Sequence, residues 1–256
     1  MRELRVIVTG KRACFTRPEM KAERVSYDVP TPGALEGLLK SIYWKPAMRF
    51  VIDQIVVFNP IEFETVRRNE VKSKISYGRV KALMSETEGK EGKEIDIISD
   101  PAIYTSVDRT QRSSLILKNV KYGIAFHIAL TGLQNEREKE ECNTQVKHEE
   151  EFIRRCSKGK YFRLPCLGSS EFPADVQLTD EFDLSQVCSE NRGEKDLSYM
   201  LYRVAFRDHG KPMNGDWDHP VFSDEADSVF YRPVMIDGVI DVKKFRREQN
   251  VDQRIE

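Results

Sequence analysis

The sequence predicts an α+β fold, and three observations carry that expectation. Two segments, one from Thr31 and one from Asn143, open with helix-start residues and continue in a helical pattern. Apolar, β-branched runs lie before, between and after them. Their order over residues 1–175 is strand, helix, strand, strand, insertion, strand, helix, strand. If one of the middle runs is an accessory hairpin, what remains is a βαββαβ core, the split βαβ arrangement called ferredoxin-like. Residues 176–256 follow as a small β-rich C-terminal lobe.

Leu4 to Thr16 alternates and is rich in Val, Ile and Phe, the pattern of a strand, with a bend expected at Gly10. Thr31 followed by Pro32 is a helix cap and first position. Ala34, Leu35, Leu38, Leu39, Ile42 and Tyr43 then form one apolar stripe that stops near Pro46. Met48 to Asn59 reads as a buried strand and Ile61 to Val66 as another. Residues 67–81 are basic, and residues 85–100 form a Gly-, Glu- and Lys-rich surface loop. Ser113 to Thr131 is strand-like, and an acidic linker leads into the helix from Asn143. Tyr161 to Leu167 and Phe172 to Leu178 look extended. In the C-terminal lobe, strands are expected at Tyr199 to Phe206 and Val229 to Ile236, with turns at Asn214-Gly215 and Asp237-Gly238. Lys243 to Glu256 reads as a charged tail in which Lys243, Lys244, Arg246 and Arg247 are further phosphate contacts.

Composition narrows the function classes. Charged residues make up 32% of the 256 residues, and no run of eighteen apolar residues occurs, so no membrane span is expected and the expected location is the cytoplasm. Five cysteines, Cys14, Cys142, Cys156, Cys166 and Cys188, are widely spread without a CxxC, which supports neither zinc nor a disulfide framework. No metal and no cofactor are expected. The net charge of -1 hides an uneven distribution. Residues 1–80 hold 15 Lys and Arg against 9 Asp and Glu, so a polyanion can be bound despite a neutral total.

The stretch from Asn143 to Ala174 concentrates the candidates. Lys147 and His148 fall in the first helical turn, where the macrodipole already places partial positive charge. Two basic groups there suit an incoming anion, although a solvated helix face is the commoner reading of such a pair. Glu150 and Glu151 precede Arg154 and Arg155 by four residues, the favourable order for ion pairs. Arg154, Arg155, Lys158, Lys160, Tyr161, Phe162 and Arg163 interleave cations with rings, as phosphates and stacked bases require. Tyr43 closes the first helical stripe, either as core or with its phenol half out. His127 in an apolar strand reads as a satisfied core residue, and Asp216 and Asp218 as a polar turn rather than a metal site.

Several pieces taken in order resemble one family. They are Tyr27 to Leu35 (YDVPTPGAL), Ser41 to Pro46 (SIYWKP), Arg67 to Val71 with Ser73 to Ile75, Arg109 to Arg112 before the strand at Leu115, and Lys147-His148 followed by Ile153 to Arg155, Lys158-Gly159, Gly168 and Glu171 to Ala174. The set resembles the type I-C CRISPR-associated repeat-processing endoribonuclease, the d variant of the fifth Cas protein family in the RAMP superfamily. The resemblance implies a ferredoxin-like domain with a β-rich extension, and cutting of precursor CRISPR RNA at the repeat hairpin. It also implies that the protein remains on the 5′ handle beside the other type I-C Cas proteins of the interference complex. The family's catalytic tyrosine, lysine and histidine fall on Tyr43, Lys147 and His148. The chain departs from the family at Val146, where Gly is frequent, and at Arg163 and Cys166, near which His and Tyr are frequent.

The implied chemistry is metal-independent attack by the RNA's own 2′-OH, leaving a 2′,3′-cyclic phosphate and a 5′-OH. His148 is the natural acid or base, Lys147 stabilises the developing oxyanion, and Tyr43 positions or deprotonates the 2′-OH. Arg67, Arg68, Lys72 and Lys74, together with Arg154, Arg155, Lys158, Lys160 and Arg163, are the expected RNA-binding residues. The alternatives are a non-catalytic subunit that binds RNA or double-stranded DNA, and a structural subunit that contacts neighbouring proteins.

Overall fold

The computed structural model describes residues 2–20, 23–72, 76–87, 109–132, 144–208, 212–216 and 218–249. The chain divides into two compact units, Met1–Glu64 with Leu115–Glu256, and Thr65–Ser114. In order, the elements are β1 (Leu4–Ala13), α1 (Pro32–Ile42), β2 (Met48–Val57), β3 (Phe63–Val71), α2 (Tyr77–Thr87), β4 (Arg109–Leu130), α3 (Gln145–Ser157) and β5 (Asp175–Leu178). They are followed by β6 (Glu194–Asp196), β7 (Met200–Phe206), β8 (Ala226–Tyr231), β9 (Val234–Ile236), β10 (Val239–Asp241) and α4 (Val242–Gln249).

The strands β5, β1, β4 and β2 lie side by side in that order, each antiparallel to its neighbour. With α1 and α3 as the connecting helices, this is the βαββαβ arrangement expected from the sequence. The accessory run is β3. It pairs with β4, whose 22 residues make it long enough to serve both purposes. Residues 117–130 of β4 lie in register with β1 and β2.

Alternation assigns the faces of the sheet. Val6, Val8, Phe50, Ile124, Phe126 and Ile128 are almost wholly buried, and Phe50 and Phe126 both meet Phe152 of α3. The other face is covered as well. A Cβ on Gly123 would come within 2.9 Å of the Phe182 ring, so only glycine lets that ring lie against β4. Val187 packs beside it against Val56 and Phe58.

Residues 176–256 add to this sheet. β10, β9 and β6 continue it beyond β2, while β7 and β8 form a separate two-stranded ribbon. The expected strand from Val229 to Ile236 is two strands, because Arg232 and Pro233 interrupt the pairing. Asp237 and Gly238 turn β9 into β10 with φ of 50° and 81°, the left-handed pair that a two-residue hairpin needs.

The expected charged tail is corrected over Lys243 to Gln249, its later residues lying outside the described ones. It forms α4, because Val242, Phe245 and Arg246 recur at helical spacing and turn inward together. Phe245 packs against the rings of Tyr202 and Tyr231. Arg246 is therefore not a phosphate contact. It is 5% exposed, donates to the Ile52 carbonyl, and meets Asp53 at 2.5 Å. Asp53 sits where a bulge shifts the register of β2 against β4, and its other oxygen meets His127 Nδ1 at 2.6 Å. His127 is thus satisfied, by a carboxylate. Burial raises the Asp53 pKa, but the hydrogen bonds from His127 and Arg246 outweigh it and hold the carboxyl below its ordinary 3.8.

A depressed carboxyl contributes stability that is present above its unfolded pKa and disappears as the pH falls through the folded value. The stability of the wild type against urea should accordingly fall as the pH is lowered below about 4, and Asp53→Asn should flatten that part of the profile. Arg246→Met, which leaves the buried carboxylate only its His127 bond, should cost about 3–5 kcal/mol at pH 7. The same urea titration checks both, and equal stability of Arg246→Met and wild type would refute the account of this ion pair.

Candidate functional site

α3 begins at Thr144, whose hydroxyl accepts from the Lys147 amide at 3.3 Å and satisfies a first-turn donor. Phe152 sets the rotation of the helix, since its ring lies 5.3 Å from both Phe50 and Phe126, edge to face. His148 and Cys156 stand four residues to either side, so they share that buried face. His148 is 1% exposed. Lys147 is one residue round the helix, about 100° away, and points outward. The two basic groups thus do not stack on one surface, as the sequence alone suggested. They take different faces of one turn, His148 buried and Lys147 exposed.

The C-terminus of α1 supplies the rest. Tyr43 caps it, its amide donating to the Leu39 carbonyl at 3.3 Å while its own backbone turns extended. That turn buries the ring to 4% exposure, so the phenol is inside rather than half out. Its hydroxyl lies 2.9 Å from His148 Nδ1, between residues 105 apart in sequence. The phenol donates when Nδ1 carries no proton and accepts when it does.

Arg155 covers this pair from α3, its guanidinium 5.3 Å from the centre of the Tyr43 ring. Arg155 also donates to Glu151 at 2.6 Å, and Arg154 grips both oxygens of the same carboxylate at 2.8 and 2.7 Å. The hydrogen bonds from Arg154 and then Arg155 draw the Glu151 pKa down to about 2. Of the two expected ion pairs, Glu151 with Arg155 forms as spaced, whereas Arg154 turns to Glu151 three residues back instead of to Glu150.

The segment after α3, Tyr161 to Leu167, is a fastened loop whose backbone bonds go to the end of α1 and the loop around Gly168. Phe162 donates its amide to Ile42 O at 3.3 Å, and Arg163 donates to Ser41 O at 2.8 Å. These bonds use carbonyls that the last turn of α1 leaves open. Further on, Leu167 bonds Phe172 at 2.8 Å and accepts from Cys14 at 3.0 Å, tying the loop to the end of β1. Gly168 makes this possible. Its φ is +84°, and a Cβ there would sit 2.0 Å from the Cys14 carbonyl oxygen.

The remaining expected RNA contacts separate. Arg154, Lys158, Lys160 and Arg163 are exposed in the first unit, and Arg155 is half-buried over Tyr43. Arg67, Arg68 and Lys72 belong to the second unit. Arg67 is exposed and Arg68 half-buried, because neighbours in a strand point to opposite faces. Lys74 lies outside the described residues. Four cysteines, Cys14, Cys156, Cys166 and Cys188, are free thiols, and burial pushes Cys156 up to about 11. Asp216 accepts from the amides of Asp218 and His219 at 2.8 and 3.2 Å, as a polar turn does. Among the described residues no three His, Cys, Asp or Glu side chains form a group that could hold a metal ion. No described helix is long and apolar enough to cross a membrane. The sequence reading assigned no role to Trp44, which is 51% exposed, because its exposure follows from where α1 stops.

Residues 3–243 match the family model Cas_Cas5d, described as CRISPR-associated protein (Cas_Cas5). The chain belongs to the Cas5d family. A Cas5d protein of Mannheimia succiniciproducens, named CRISPR pre-crRNA endoribonuclease Cas5d, is 41% identical over 251 residues, covering 96% of this chain and 97% of its own length. A protein of the same name from Thermus thermophilus is 35% identical over 213 residues, 83% of this chain and 78% of its own. Two solved structures share the fold. One, of a CRISPR-associated protein, has a TM-score of 0.55 at 24% identity and covers 94% of this chain and 92% of its own. The other, a functionally uncharacterized protein from Streptococcus mutans, has a TM-score of 0.58 at 23% identity with the same coverage.

Two substitutions test this construction. Tyr43→Phe removes the hydroxyl that bonds a buried imidazole and should cost about 1–3 kcal/mol in urea unfolding. Gly168→Ala should cost more than about 1 kcal/mol in the same titration, since its Cβ and the Cys14 carbonyl cannot both stay where they are.

Proposed function

We propose that this Cas5d chain is an endoribonuclease that cuts precursor CRISPR RNA at the repeat hairpin, without a metal. In this reading it then stays on the 5′ handle as a subunit of the type I-C interference complex. The observation that carries the reading is the 2.9 Å bond between Tyr43 and His148, which joins the two ends of a candidate acid–base relay across 105 residues. The near full-length likeness to a protein named pre-crRNA endoribonuclease supports the same activity.

RNA contains its own nucleophile. The protein needs only to take the 2′-OH proton, return a proton to the leaving 5′ oxygen and stabilise the phosphorane. In the proposed mechanism Lys147, on the outside of the first turn of α3, meets the scissile phosphate and offsets its charge. Tyr43 and His148 pass the proton between them. Both are enclosed here, so the RNA must open the enclosure for the imidazole to reach the reacting atoms. The 2′,3′-cyclic phosphate and 5′-OH ends follow from this route. Lys158, Lys160 and Arg163 would hold the RNA backbone, and Arg67, Arg68, Lys72 and Lys74 a further stretch of it.

The burial of His148 favours one other reading. There the Tyr43–His148 bond is only a clamp between α1 and α3, and the chain is a non-catalytic subunit that binds RNA or double-stranded DNA.

A cleavage assay on a labelled repeat hairpin in EDTA separates the two. The wild type should cut, with ends characteristic of a 2′,3′-cyclic phosphate and a 5′-OH. Tyr43→Phe, Lys147→Ala and His148→Ala should each slow cutting by about 10²–10⁴-fold, with binding retained and folding verified by circular dichroism. Tight binding by a wild type that never cuts would instead establish the clamp.

A further inference from the structure

We propose that Trp44 and Phe162 form a base-stacking platform beside the Tyr43–His148 site, taking unpaired nucleotides that adjoin the hairpin stem. The proposal rests on the endoribonuclease reading and adds to it the part of the substrate that this surface recognises.

The exposure of the two rings is the first observation. Phe162 is 82% exposed and Trp44 51%, although either would gain by burial. They also stand on firm backbone. The amide of Phe162 is bonded to Ile42, and that of its neighbour Arg163 to Ser41. Trp44 follows directly on Tyr43, the residue that caps α1. Both residues thus belong to one junction, the end of α1 and the loop fastened to it, and Tyr43 lies in that junction. A platform needs this rigidity, because an aromatic on a mobile loop would lose entropy on each binding event.

Charge selects the occupant. Lys158, Lys160 and Arg163 flank Phe162 and are exposed, and Lys147 is exposed on the helix that carries His148. Exposed rings among cations fit a polyanion that has aromatic faces to offer. Paired bases are stacked on each other and turn their edges outward, so the faces available to Trp44 and Phe162 belong to unpaired nucleotides. An apolar protein surface would leave the cations without a complement.

The test compares the full-length protein with Trp44→Ala, Trp44→Phe, Phe162→Ala and Phe162→Tyr. Two labelled RNAs are used, a repeat hairpin with single-stranded flanks and the bare stem-loop. Each alanine variant should raise the Kd for the flanked RNA by about 5- to 150-fold and leave the Kd for the bare stem within twofold. The aromatic replacements should restore most of the affinity. In a Trp217→Phe background, flanked RNA should quench the fluorescence of Trp44 and the bare stem should not. Unchanged affinity of the alanine variants for flanked RNA, with cutting by the wild type intact, would overturn the platform while leaving the endoribonuclease reading in place. If the same variants instead lose association with other Cas proteins, the surface is a protein contact and the platform is refuted. Failure of the wild type to bind or cut either RNA would overturn the underlying reading and the platform with it.

Discussion

Three phenylalanine rings decide where the chemistry-bearing side chains go. Phe50 of β2, Phe126 of β4 and Phe152 of α3 meet pairwise at 5.3 to 5.6 Å, all edge to face. Such a cluster resists rotation of the helix, because turning α3 would pull Phe152 out of both contacts and leave a cavity. With Phe152 fixed, His148 must point inward and Lys147 outward. With His148 inside, the end of α1 has a polar group to meet, and Tyr43 meets it. Removing Phe152 would loosen the helix and the candidate site together.

Much of the fold was legible in the sequence because it rests on local signals. Thr31 and Pro32 mark the start of α1, and Thr144 that of α3, through capping chemistry that a few residues carry by themselves. The strands of the core show in their β-branched runs. The extra middle strand that the βαββαβ reading required to be accessory is β3. Legibility ended where a long-range partner decides the outcome. Lys147 and His148 are neighbours in sequence, and only the distant rings of Phe50 and Phe126 reveal that they part. Arg246 looked like one more cation in a charged tail, since its carboxylate partner is 193 residues away. Tyr161 to Leu167 has strand-like composition, yet it takes its hydrogen bonds from the end of α1 and the loop around Gly168. The candidate catalytic residues were named through resemblance to the family. The structure adds that two of them touch and that the third faces out.

The same comparison bears on charge. A chain with net charge -1 can still hold a polyanion only if its cations are not all engaged internally. Some are engaged here. Arg154 and Arg155 are bound to Glu151, and Arg246 to Asp53. The exposed lysines and Arg163 around the end of α1 are among the cations that accounting leaves at the surface. A count of basic residues overstates the available charge, and their positions describe it better.

The Asp53–Arg246 pair has a consequence for the order in which the chain is made. Synthesis delivers β2 with its buried aspartate early, and His127 follows in β4. The guanidinium that completes the set emerges 193 residues after the carboxylate. Until then the nascent sheet holds a buried carboxylate with one of its two partners missing at the bulge, so the half-made fold is less stable than the strands alone would make it. The sheet matures last at the point where α4 docks, and that helix must emerge from the ribosome before the first-made strands acquire their full stability.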